Sequence, residues 1–136
     1  MINITDQAID VDVAIKAASS LEAGGLNVFI GTVRNNTKGK KVRWLEYEAY
    51  ETMAISEIKK IIEAAKQKWD LKGYSVIHRT GTLHPNEIAV VIAVACGHRK
   101  ESFEACQFII DELKKHVPIF KKEVFEDGAE WVSARP

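Results

Sequence analysis

A chain of 136 residues, 46% apolar and 28% charged, is long enough to bury a core of its own as one domain without staples. Its 19 basic residues are matched by 19 acidic ones, so the zero net charge argues against wholesale electrostatic binding of nucleic acid and leaves only local patches. The longest apolar run, Ile88 to Cys96, is too short for a membrane span, and Met1-Ile2-Asn3-Ile4 lacks the basic start of a signal peptide, so a cytoplasmic protein is the expectation.

Ile2 to Thr5 suits a short strand, and Asp10 is placed to cap a helix from Val11 to Leu21 that Gly24-Gly25 ends. Leu26 to Val33 is rich in apolar and β-branched residues and predicts a strand. It runs into Arg34-Asn35-Asn36-Thr37-Lys38-Gly39-Lys40-Lys41, a polar stretch with turn chemistry and no acid. Val42 to Tyr50 resumes as a strand, Leu45, Tyr47 and Ala49 alternating with Glu46, Glu48 and Tyr50. The two strands read as a hairpin with a long basic tip. From Glu51 to Trp69 the period becomes helical, with Ile58, Ile61, Ile62, Ala65 and Trp69 on one stripe.

Beyond Gly73, Tyr74 to Arg79 predicts another strand and Gly81 to Glu87 a turn or connecting segment. The unbroken apolar run Ile88 to Cys96 has the pattern of a strand covered on both faces, and hence of the sheet's centre. It hands over through Gly97-His98-Arg99 to a helix with Phe103, Cys106, Ile109, Ile110 and Leu113 on its inner face. Pro118 cannot continue that helix and turns Val117 away from helical angles, so the helix ends near His116. Ile119 to Phe125 follows as a strand, and Glu126-Asp127-Gly128 is a hairpin signal returning through Trp131-Val132. With no repeat, linker or low-complexity tract, residues 1–136 read as a single α+β domain.

Lys114 falls in the final turn of the last helix and Lys121 on the segment leaving it, with no acid between Glu112 and Glu123. Lysines on either side of a sharp turn can converge, and a lysine beside other cations or in an apolar pocket loses basicity and becomes reactive. The same stretch also reads as a solvated basic helix end that complements the helix dipole. His98-Arg99 stands at a strand-to-helix junction, where free N–H groups favour an anion and an arginine fork suits phosphate or carboxylate. The plainer alternative there is a surface arginine and a capping histidine. Arg34, at a strand end, is a second candidate anion ligand. The basic window from Arg34 through Lys38, Lys40, Lys41 and Arg43 lacks the interleaved aromatics of a nucleic-acid stacking platform. His78, His84, His98 and His116 show no metal-ligand spacing, so no metal is expected. Cys96 and Cys106 lie in apolar company and read as small buried hydrophobes.

Several stretches together resemble the family of large, catalytic subunits of molybdopterin synthase. They are Phe29-Ile30-Gly31-Thr32-Val33-Arg34-Asn35, Leu45-Glu46-Tyr47-Glu48-Ala49-Tyr50, Val76-Ile77-His78-Arg79-Thr80-Gly81 and Gly97-His98-Arg99 with Phe103-Glu104-Ala105. Leu113-Lys114-Lys115-His116-Val117-Pro118-Ile119-Phe120-Lys121-Lys122-Glu123 and Trp131-Val132-Ser133-Ala134-Arg135 complete the set. The resemblance implies an α/β-hammerhead-like α+β domain, mostly antiparallel, with about three helices. It implies a sulfurtransferase of molybdenum cofactor biosynthesis that needs no cofactor of its own. Cyclic pyranopterin monophosphate would receive two sulfurs and become the dithiolene of molybdopterin. The sulfur would come from the thiocarboxylate on the Gly-Gly tail of a small ubiquitin-like partner, two of which flank a homodimer of the large subunit in a heterotetramer. Nucleic acid and membrane have no part in it.

Carried over residue by residue, the resemblance makes Lys114 and Lys121 the catalytic lysines, with Lys122 and Glu123 completing their wall. Thr32, Val33, Arg34, His98 and Arg99 would contact phosphate and pterin, and Arg135 resembles a residue offered across the dimer interface. Two other readings stand beside this one. The first is a non-catalytic module that only grips a ubiquitin-like sulfur-carrier tail. The second is a small RNA-binding domain using the basic loop, which also offers a surface for receiving partner or substrate.

Overall fold

Alternation and helical stripes sort the chain into nine strands and three helices in the computed structural model, which describes residues 1–136. In chain order these are β1 (Ile2–Thr5), α1 (Val11–Ala18), β2 (Gly25–Thr32), β3 (Asn36–Thr37), β4 (Lys40–Ala49) and α2 (Glu51–Lys68). They continue as β5 (Leu71–Arg79), β6 (Gly81–Leu83), β7 (Ile88–Cys96), α3 (Arg99–His116), β8 (Ile119–Phe125) and β9 (Glu130–Ser133). One sheet has the order β1-β5-β7-β2, parallel only between β1 and β5. The second runs β3-β4-β8-β9, with β6 also pairing β4, and is antiparallel throughout. The molecule is a single α+β domain.

Strand β7 is apolar from end to end because both its faces are covered. Val90, Ile92, Val94 and Cys96 join α2 and α3 in the main core, whereas Val91 packs with Ala14 of α1 and Ile77 of β5. Helix α1 lies very close to the sheet: Ser75 Oγ donates to the Ala14 carbonyl at 2.7 Å, and a Cβ on Gly73 would stand 2.1 Å from the Ala18 carbonyl oxygen. Gly73→Ala is therefore expected to destabilise the fold by about 1–3 kcal/mol through overpacking, measurable by urea unfolding. No helix is long and apolar enough to cross a membrane.

Five expectations are corrected. Strands β2 and β4 do not form a hairpin. β2 pairs with β7, and β4 leaves for the second sheet to pair with β8 and β6. The reason is burial: Val42 and Leu45 close a separate small core with Val33, Leu83, Ala89 and Phe125. The basic stretch instead folds into the short β3–β4 hairpin, with Lys38 and Gly39 at positive φ (51 and 83) in its two-residue turn. Helix α1 stops at Ala18, where Ser19 turns extended and its hydroxyl caps the Ile15 carbonyl, and Leu21 is fully exposed. Phe103 is exposed as well, because the buried stripe of α3 runs through Ser102, Ala105, Cys106, Ile109, Ile110 and Leu113. Finally, the segment after Gly81 is not only a connector, since it contains β6, and β5 begins at Leu71, ahead of Tyr74.

Candidate active site

The break at Pro118 does what its chemistry requires. Val117 is extended (φ −81, ψ 127), its N–H closing on the Leu113 carbonyl, and β8 starts at Ile119. Three basic residues stand in the last turn of α3, and two of them are spent locally: Lys115 and His116 approach Glu112 at 3.9 and 3.1 Å. Lys114 pairs with no aspartate or glutamate side chain. It is exposed along part of its length, yet it lines a cavity of about 70 Å³ with Phe29, Thr32, Tyr47, His78 and Pro136. Its ammonium donates to the Pro136 carbonyl at 3.4 Å. Burial first, and then the charges of Lys121 and Arg34, hold its basicity below the ordinary lysine value. The charges of Lys121 and Arg34 thus both reach the Lys114 ammonium.

Lys121 arrives through the β4–β8 register, which sets it opposite Tyr47. It also borders a groove of about 460 Å³ with Glu46, Glu48, Phe120 and Val132. Alternation places Glu123 on the same strand face, buried, where Thr37 Oγ1 donates to it at 2.9 Å and ties the β3–β4 hairpin to β8. Tyr47 faces Lys121 across the two strands. Burial, with Glu123 adding, pushes its hydroxyl up to about 12, so it stays a neutral donor. Lys122 falls on the opposite strand face, held by Glu130 at 3.2 Å and Glu46 at 3.7 Å, which raises its basicity. Its charge is used there and not beside Lys114.

Thr32 lines the cavity, whereas Val33 is buried with its N–H on the Glu87 carbonyl and its carbonyl taken by the Asn86 N–H. The Val33 N–H is therefore not free for a ligand. Arg135 folds back on its own chain, donating to the Lys115 carbonyl. His98 and Arg99 lie elsewhere. Arg99 packs on Gly25, at the end of β2 remote from Thr32, and the eight-residue strand separates these ends by about 24 Å. Within one chain His98-Arg99 does not meet Lys114, and the His98 side chain makes no capping hydrogen bond.

A larger depression, about 500 Å³, is lined by Asn35, Lys41, Arg43, Trp44, His84 and Glu126, among others. It is open and holds neither Lys114 nor Lys121, whereas the smaller cavity holds Lys114 and the groove holds Lys121. In the basic loop Lys40 is tied to Asp127 at 3.1 Å and lies over the Phe125 ring, while Arg43 stacks on Trp44. Lys38, Lys41 and Arg43 form no ion pair and remain available to an anionic surface.

Sequence reasoning passed over His78. It is 2% exposed, with Nδ1 2.8 Å from the Arg79 carbonyl and its ring edge-to-face with Tyr47 (centroids 5.0 Å apart, 72°). Burial lowers its basicity to about 4, the Arg79 carbonyl opposing and the Lys114 charge assisting. No sequence signal pairs it with Lys114, because the two come to line one cavity only once the chain has folded. No group of three or more histidine, cysteine or carboxylate side chains gathers as a metal site would. Cys96 and Cys106 are buried, with burial pushing both thiols up to about 11. Both are expected to resist iodoacetamide at pH 8 in the native protein and to react once urea unfolds it, as mass spectrometry would show.

The MoaE protein family matches residues 4–116. The human molybdopterin synthase catalytic subunit is 44% identical over 131 residues, covering 96% of this chain and 70% of the relative. The molybdopterin synthase catalytic subunit of Bacillus subtilis is 44% identical over 129 residues, 95% of this chain and 82% of the relative. The molybdopterin synthase crystal structure from Staphylococcus aureus superposes with a TM-score of 0.90 at 37% identity, covering 96% of this chain and 94% of that one.

Proposed function

The chain belongs to the MoaE protein family, that of the molybdopterin synthase catalytic subunits, and from that premise we propose that it is a sulfurtransferase acting at Lys114. The reaction moves sulfur from the C-terminal thiocarboxylate of a small ubiquitin-like subunit onto cyclic pyranopterin monophosphate, twice, to make the dithiolene of molybdopterin. One observation carries the reading: Lys114 has lost basicity at a cavity where Lys121 and Arg34 add positive charge. A thiocarboxylate tail and a phosphorylated pterin are both anions, and their mutual repulsion is what such a cationic, partly desolvated site offsets. Lys114 acts on the tail or on the reacting carbons, as a lysine with lowered basicity exchanges its proton more readily near neutral pH. Lys121 positions the anions, Arg34 and Thr32 receive the phosphate, and the groove beside Lys121 admits the tail. The relatives' designation as catalytic subunits agrees with a partner chain. A cytoplasmic setting agrees with two unpaired cysteines.

The placement of His98-Arg99 supports a homodimer at the centre of a heterotetramer. β2 is an edge strand and exposes Leu26, Phe29 and Ile30. If β2 pairs antiparallel with the same strand of a second copy about a two-fold axis, Gly25 of one copy lies beside Thr32 of the other. Arg99, packed on Gly25, then approaches the Lys114 cavity of the second copy and completes its anion site.

The test is a single-turnover assay with purified protein, thiocarboxylated small subunit and cyclic pyranopterin monophosphate. Dithiolene formation is the expected result. No product, with the small subunit shown to bind, would leave a module that grips the sulfur carrier without performing the transfer.

A further inference from the structure

Resting on the reading of Lys114 as the reacting lysine, we propose that His78 is its positioning residue, with the imidazole Nε2 as the uncharged acceptor that orients the Lys114 amine in the cavity. The tautomer follows from the hydrogen bond. A backbone carbonyl only accepts, so Nδ1, 2.8 Å from the Arg79 oxygen, carries the proton, and in a neutral imidazole Nε2 then holds a lone pair.

Nε2 makes no hydrogen bond here, and the Lys114 ammonium donates to the Pro136 carbonyl, so orientation by His78 requires that ammonium to turn from Pro136 into the cavity. The one side-chain nitrogen or oxygen sealed from solvent without a hydrogen bond is Arg79 Nε, so His78 Nε2 opens onto accessible space. The space His78 lines is the cavity it shares with Lys114. The ring cannot readily swing away, because the Tyr47 ring stands edge-to-face against it and β5 is fixed on both sides by β1 and β7.

The charge of the acceptor matters. Lys121 and Glu123 reach this region from β8, Tyr47 from β4, Arg34 from the end of β2 and Lys114 from α3. A carboxylate in the place of His78 would orient Lys114 but would also hold its proton in a strong ion pair. An imidazole that burial keeps neutral down to about pH 4 orients the amine without doing so, and it adds no further cation to the cluster.

Three variants test this: His78→Phe, which keeps a ring against Tyr47 and deletes the acceptor; His78→Met, which deletes it with a more adaptable side chain; and His78→Gln, which returns an acceptor oxygen. Two readouts are taken on each folded protein. One is the single-turnover rate, and the other is the titration of Lys114 followed by NMR of its 13Cε in lysine-labelled protein. The deletions are expected to slow turnover by about tenfold to a hundredfold, with affinity for the small subunit unchanged. Loss of the acceptor should also shift the Lys114 titration to lower pH, and His78→Gln should recover both rate and titration at least in part. A wild-type rate in both deletions would overturn the proposal. So would a slower rate in all three variants with an unmoved Lys114 titration, which would make His78 a packing residue. The titration is read without substrate, so it judges His78 even if the sulfur-transfer reading fails.

Discussion

Replacing Lys114 by alanine is expected to lower the single-turnover rate about a thousandfold while leaving the small subunit's affinity and the fold intact. The magnitude is that of losing a proton-transferring group together with one of the charges that stabilise the reacting anions. The fold should not suffer, for a thermodynamic reason. Lys114 is less basic in the folded chain than at its ordinary value of 10.5. At neutral pH the unfolded chain therefore binds that proton more favourably, and the wild-type protein gains stability as pH rises from the lowered folded value towards 10.5. Alanine removes this penalty, so urea unfolding at pH 7 should show unchanged or slightly raised stability, with a flatter dependence on alkaline pH. Lys115→Ala is the control. That ammonium sits near Glu112 and outside the cavity, and its loss should leave turnover within about twofold of wild type. Comparable turnover in Lys114→Ala and wild type would remove Lys114 from the chemistry.

The second large effect is a rescue. Lys114→Ala and Arg99→Ala are each expected to be nearly inactive, since each damages both sites of a symmetric dimer. If Arg99 of one copy serves the Lys114 of the other, a mixed dimer of the two variants holds one site with both defects and one with neither. Random reassortment makes half the dimers mixed, so the co-refolded variants should recover about a quarter of wild-type turnover. Were Arg99 to act within its own chain, every site in the mixture would carry one defect, and no recovery would appear. Sedimentation of each variant alone checks that both remain dimers.

The rescue matters because it concerns what a single chain does not bring together. His98-Arg99 and Lys114 are the two ends of α3, and an 18-residue helix keeps them about 22 Å apart whatever packs around it. Their sequence neighbourhoods each look like an anion site, and nothing local says that they are remote. Lys122 shows the same limit on a smaller scale. It sits next to Lys121 in sequence, but strand alternation turns it to the other face, where Glu46 and Glu130 hold it.

By itself the sequence determined the elements and the breaks between them. Ile88 to Cys96 has the pattern of a strand covered on both faces, α2 carries a stripe that must be buried, and Pro118 forces the turn that leaves Lys114 on one side and Lys121 on the other. These follow from patterns a few residues long, in which period and backbone geometry leave little choice. Tertiary structure decided which strand meets which. β2 went to β7 and β4 to β8, because each apolar face closed where complementary apolar surface lay, far along the chain. It also decided the company of Lys114. Tyr47, His78, Arg34 and Lys121 come from separate elements, and only their packing lowers the basicity of one lysine among the three basic residues that end α3.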